Sequence, residues 1–240
     1  MSTQKDINFK MRSILIDWLV EVHHKFKLFP STLWLCVNIL DRYLEKVSIM
    51  RSKLQLVGVT ALFIACKFEE IYPPEVRDCV YITDYAYDRE EVLKMETTIL
   101  VELNWEILVP TGYHFLTRYL NCIRCSERTK NVAFYYAERN LQEQELLTLS
   151  PRKFAAAAVY AALKQQNTQY FPLRDASAWP KVLREETGLN EAEITPIAST
   201  MVRHVSEEPV TTSKRKLVAT KKKYQADKYE NTASLVLPTF

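Results

Sequence analysis

Apolar residues recur along this chain at spacings of three and four, with no convincing alternation, so the pattern predicts helices and no strands. The first helix is predicted over residues 10–27. Within it, "MRSILIDWLVEV" (residues 11–22) is apolar around more than half its circumference. Met11, Ile14, Leu15, Trp18, Leu19, Val22 and Phe26 form one stripe, which Ile16 and Val20 extend. A stripe a little over 100° wide is enough to cover a core, so this helix has more apolar face than a single packing contact uses. Arg12 falls inside that arc, between Leu19 and Ile16. A guanidinium in a bundle interior is tolerable only when it is paired and its donors are used. The other reading is an exposed Arg12 at the end of a broad helix.

The same reasoning continues down the chain. Ser31 or Thr32 can cap a second helix to about residue 46, and Ser52 can cap a third over 53–69. That third segment is apolar on every side. Its Gly58, Ala61, Ala65 and Cys66 permit close neighbours, which places it at the centre of a bundle. Pro73-Pro74 ends it and opens a fourth helix to residue 82. Asp88 and Glu91 form a capping box for a fifth, to residue 103. After the break "NWEILVPT" (residues 104–111), Thr111 caps a sixth helix, "GYHFLTRYLNCI", and residues 129–146 form a seventh. Ser150-Pro151 opens an eighth in the N-cap, N1 arrangement, and shorter helices follow over 179–186 and 192–205. "ALFIACK" (61–67) overlies "AVYAALK" (158–164) at a shift of 97 residues, small residues and closing lysine coinciding. The chain is therefore read as all-α, two tandem five-helix units, each around a central helix rich in small residues.

Composition removes several function classes. The 240 residues are 48% hydrophobic and 25% charged, with three glycines, which argues against glycine-rich phosphate cradles. The longest apolar run, residues 54–66, is too short to span a bilayer and is interrupted by Gln55 and Thr60, so no membrane partner and a soluble, intracellular protein are expected. Five cysteines in a chain without a signal peptide read as reduced thiols, and Cys122-x-x-Cys125 lacks the second ligand pair that a zinc site needs. The histidines at 23, 24, 114 and 204 have no nucleophile or metal constellation around them, and His23-His24 is placed on the polar side of its helix. No enzymatic activity, metal or cofactor is expected. The net charge of +3 is uneven: residues 211–240 carry seven Lys/Arg against two Asp/Glu, which leaves the remainder at −2.

"MRSILIDWLVEV", "LQLVGVTALFIACKFEEIYPPEV", "YITD" and "VLKMETTIL" resemble the cyclin box of mitotic cyclins, B-type in preference to A-type. The resemblance covers residues 10–120 strongly and continues to "KYENTASLVLP". It implies an N-terminal cyclin box over 10–108, a C-terminal box over 109–208, and a basic C-terminal helix and tail over 209–240 that packs back on the boxes. It also implies a non-catalytic subunit that forms a heterodimer with a cyclin-dependent Ser/Thr protein kinase and activates it. The implied process is cell-cycle control at G2/M, in nucleus and cytoplasm. Ten residues precede the first box helix, too few for the N-terminal helix and destruction motif that mitotic cyclins usually carry. Arg12-x-x-Leu15 and Arg51-x-x-Leu54 fit a minimal R-x-x-L pattern but lie in helical segments, and neither is read as a degron.

Residue by residue, the resemblance gives Arg12 a structural partner in Asp41. Met11, Ile14, Leu15, Trp18, Glu21 and Gln55 match the family's docking patch for Arg-x-Leu substrates and inhibitors. There leucine fills an apolar groove and Glu21 meets the arginine. Lys67 and Glu96 match the pair that grips the kinase's mobile C-helix, with Ile64, Phe68, Leu100, Trp105 and Ile107 as apolar contacts. Without the resemblance, Lys67 and Glu96 would read as an ordinary surface ion pair. Two residues depart from the pattern: Ser13 replaces the usual alanine on the solvent side, and Trp105 stands where phenylalanine is commoner. A rival reading is a cyclin-fold transcription factor or adaptor, with the basic runs at 214–216 and 221–223 meeting phosphates. Those runs lack aromatic or arginine-rich interleaving, so nucleic acid is not the expected partner.

Overall fold

The computed structural model describes residues 3–170, 178–207 and 217–234, and divides the chain into two compact units, Met1–Thr111 and Gly112–Phe240. No strand occurs among the described residues.

The first unit holds five helices: α1 (Phe9–Lys25), α2 (Pro30–Lys46), α3 (Leu54–Glu69), α4 (Val76–Ile82) and α5 (Arg89–Glu102). Asn8 caps α1, its Oδ1 accepting from the Met11 amide at 3.0 Å. α2 starts at Pro30, before either predicted cap, because Pro30 fixes the first helical φ and holds Phe29 extended. Its N-terminus is served from a distance instead. The Glu70 carboxylate accepts from the Phe29 amide at 2.7 Å and from the Thr32 hydroxyl, placing an anion at the positive end of the helix. Ser52 likewise does not cap α3; it lies in a 3-10 turn, Arg51–Lys53, that leads into the helix. Pro73-Pro74 stays outside α4, which starts after Glu75 with a reciprocal Glu75/Asp78 capping box. The Asp88/Glu91 box opens α5 as the spacing predicts.

α3 is the axis of this unit. Every residue from Leu54 to Cys66 except Gln55 is buried, and α1, α2, α4 and α5 all pack against it. Gly58 marks the closest approach. A Cβ there would lie 2.7 Å from Cδ1 of Leu15 on α1, nearer than carbon atoms can sit, so the glycine lets α1 seat on α3.

The second unit repeats the plan with α6 (Gly112–Ile123), α7 (Glu127–Asn140), α8 (Pro151–Tyr170), α9 (Lys181–Thr187), α10 (Glu191–Ser206) and α11 (Ala219–Tyr224). α8 is buried from Phe154 through Ala162 and is packed by α6, α7 and α10. α7 begins and ends earlier than predicted. Ser126 caps it through the Thr129 amide, and Gln144–Leu146 becomes a separate 3-10 turn. α9 stops at Gly188, whose φ of 63° is the left-handed conformation that glycine adopts without a steric penalty.

The predicted tail at 209–240 is described only in part; 208–216 and 235–240 lie outside the described residues. Its described portion packs on α7 as part of this unit. Lys223 Nζ donates to both carboxylate oxygens of Glu138, at 2.7 and 2.9 Å, with both side chains buried. Tyr224 sits between the rings of Tyr135 and Tyr229.

Candidate functional site

Three groups of predicted residues meet in the first unit. The first joins α1 to α2. Arg12 Nε and Nη2 each donate to one oxygen of Asp41 at 2.6 Å, a bidentate pair. The two ends are unequally covered: the Arg12 side chain is 1% exposed and that of Asp41 is 29%. A buried guanidinium therefore meets a carboxylate that water still reaches, which limits the desolvation cost of the pair.

The second group lies where α1 crosses α3. Leu15 is buried against Gly58, while Met11, Ile14 and Trp18 are partly exposed, Glu21 is exposed, and Gln55 sits one turn before Gly58. Met11, Ile14, Leu15 and Trp18 recur at helical spacing along one face of α1, with the Glu21 carboxylate one turn beyond Trp18. Trp18 is not only a surface residue, however. It packs against the buried cluster of Leu56, Val59, Phe63, Cys79 and Val92, so the ring supports the core and the patch together.

The third group lies on α3 and α5. Lys67 Nζ forms an ion pair with Glu96 Oε1 and stands 4.5 Å from the centre of the Phe63 ring, adding a cation–π contact. Glu96 is nearly buried and Lys67 half-exposed. The Glu96 charge reaches the core beneath. Burial first, then Asp78 and Glu96, push the Cys79 thiol up to about 12, with Lys67 opposing them. Phe68, next to Lys67, is 48% exposed and Trp105, just beyond α5, is 65% exposed, far more than large apolar rings usually are. Leu100 is partly covered. Ile64 and Ile107 are buried. Val101 and Leu108, unremarked in the sequence, are exposed here too. The aperiodic apolar stretch "NWEILVPT" signals Leu108; Val101, inside the helical pattern, carries no such signal.

Other candidates are placed differently. His23, expected on the polar side, is buried with Nε2 at 2.9 Å from the Phe29 carbonyl oxygen, whereas His24 is exposed. The α1–α2 turn folds back over His23 and covers it. Among the described residues, no group of three His, Cys, Asp or Glu side chains is placed to hold a metal ion, and no helix is long and apolar enough to cross a membrane. In the basic run at 221–223, Lys223 turns inward to Glu138 while Lys221 and Lys222 face solvent; the run at 214–216 lies outside the described residues.

Two helical units, each built on a buried axial helix, define an all-α protein of tandem repeated units, with exposed aromatics and an ion pair on the first. The chain matches "Cyclin, N-terminal domain" over residues 1–108 and "Cyclin, C-terminal domain" over residues 110–238. It belongs to the cyclin family. It is 42% identical over 241 residues to Cyclin-B1-4 of Arabidopsis thaliana, covering 100% of this chain and 59% of that protein. It is 41% identical over 233 residues to G2/mitotic-specific cyclin-1 of Medicago sativa subsp. varia, covering 97% of this chain and 52% of that one. The chain thus spans about half the length of the curated relatives it matches. Its fold is shared with a viral cyclin from herpesvirus saimiri, at a TM-score of 0.74 and 24% identity, over 86% of this chain and 89% of that structure.

Proposed function

We propose that this cyclin is the regulatory subunit of a cyclin-dependent Ser/Thr protein kinase, non-catalytic itself, acting in G2/M control. The observation that carries the reading is the exposure of Phe68, adjacent to Lys67 of the Lys67–Glu96 pair, and of Trp105, just beyond α5. A monomer gains nothing by leaving such rings in water. A kinase C-helix laid against them would bury both rings and the half-exposed Lys67. An active kinase needs its C-helix glutamate held against the strand lysine that orients the ATP phosphates. A partner that binds only the inward position of that helix shifts the kinase toward activity. The Met11, Ile14, Leu15, Trp18 and Gln55 face with Glu21 suits Arg-x-Leu segments of substrates and inhibitors, so one unit both activates and recruits.

The test is kinase activity titrated with parent and with Lys67→Ala/Glu96→Ala protein. Removing both charges together leaves no buried carboxylate behind, so folding is retained. At a desolvated interface the loss is about 2–5 kcal/mol, roughly 30-fold to several thousand-fold in affinity. A folded double variant that activates at the parent's concentration would overturn this reading.

A further inference from the structure

α5 ends, as α4 does at Asp84 and Tyr85, in a left-handed pair. Asn104 and Trp105 are consecutive non-glycine residues in the left-handed region, at φ 52° and 60°. Asparagine tolerates that conformation; a tryptophan there is strained. The chain closes a Schellman turn around them. The Asn104 amide donates to the Val101 carbonyl at 3.0 Å and the Trp105 amide to the Leu100 carbonyl at 2.8 Å. Two carbonyls at this helix end point elsewhere. Glu102 O accepts from Lys46 Nζ at 2.7 Å, and Glu106 O accepts from Arg42 Nη1 at 2.7 Å. Both donors come from the C-terminal end of α2, four residues apart on one face. Two cations thus bracket the strained turn, one on the final helical carbonyl and one just past Trp105, where the helix dipole favours positive charge.

We propose that Arg42 and Lys46 are positioning residues for kinase binding: they hold the 102–106 turn in the conformation that presents the Trp105 indole outward, without needing to touch the kinase themselves. This rests on the functional reading above and assigns part of that surface's affinity to α2. Without the clamp, the strained turn relaxes toward ordinary backbone conformations. Apparent affinity then falls in proportion to the fraction of molecules still presenting Trp105. A turn populated one time in ten would weaken binding about tenfold.

The experiment is a cycle of four intact chains: parent, Arg42→Met/Lys46→Met, Trp105→Ala, and the combination. Methionine keeps the length of the stems and removes the donors. Each is titrated against a recombinant cyclin-dependent kinase, and amide hydrogen exchange at Trp105 and Ile107 is followed on the free chain. The methionine variant should weaken binding about tenfold, with faster exchange confined to the turn. Adding it to Trp105→Ala should weaken binding no further. Arg42→Lys, which keeps a donor, should recover part of the loss. Losses that multiply in the combined variant, or unchanged exchange at the turn, would overturn the clamp while leaving the kinase assignment standing. A parent that bound and activated no cyclin-dependent kinase would overturn the assignment, and the clamp's role in binding with it.

Discussion

The Arg12–Asp41 pair should respond unequally to the loss of its two ends. Asp41→Ala removes the charge partner of a guanidinium whose side chain is 1% exposed. Breaking a buried pair from that side costs about 3–5 kcal/mol, because the remaining ion cannot recover its hydration. Arg12→Met keeps the buried stem and removes only the charged head. The carboxylate left behind is 29% exposed, so water replaces the two lost hydrogen bonds in part and the cost falls to about 1–2 kcal/mol. The combined variant should resemble Arg12→Met, since no buried charge remains. By calorimetry of the intact 240-residue chain, at about 2–4 °C per kcal/mol, Asp41→Ala should lower the melting temperature by about 6–20 °C and Arg12→Met by about 2–8 °C. Equal shifts, or a larger one for Arg12→Met, would refute the argument from unequal burial.

Gly58→Ala sets a helix-propensity gain of about 1 kcal/mol against overpacking of about 1–3 kcal/mol, because the new Cβ would lie 2.7 Å from a methyl of buried Leu15. It should destabilise the parent in urea titrations but stabilise a Leu15→Ala background; the same sign in both would show that the contact is not the cause. Glu21→Ala should weaken Arg-x-Leu peptide binding measured by fluorescence anisotropy and leave activation on a short generic substrate intact. Trp18→Ala should also lower the melting temperature, because its ring packs on the core cluster. Asp6 lies below its usual carboxylate range because Arg51 donates to it. A pKa lowered by folding adds stability that is present above the unfolded value, near 4, and is lost as pH falls through the folded value. Asp6→Asn should therefore flatten the acid limb of the stability curve below pH 4 without changing its shape near pH 7, and a limb as steep as the parent's would count against the pairing.

Physical range explains which features were legible in the sequence. The axial helices were readable because burial on all sides leaves a local mark: small and apolar residues at nearly every helical position, as in 54–66, Gln55 and Thr60 apart, and again in 154–162. The Asp88/Glu91 box was readable because its two hydrogen bonds close within four residues. The start of α2 was missed because its capping carboxylate, Glu70, comes from 41 residues away, and no local pattern marks a cap that arrives through tertiary packing. Lys223 illustrates the same limit with charge. It sits in a run of three lysines that reads as solvated, and only the folded chain shows that the third finds Glu138, 85 residues earlier, and is buried while its neighbours stay in water. At the candidate site, the family resemblance supplied the identity of Lys67, Glu96 and Trp105 but not their geometry. What sets that geometry, a left-handed tryptophan between two cations from α2, depends on side chains 56 and 64 residues away from the carbonyls they meet. Where a surface is shaped for binding, as proposed here for Trp105, local preference is expected to be overridden. Here the override is a strained turn held open by a neighbouring helix.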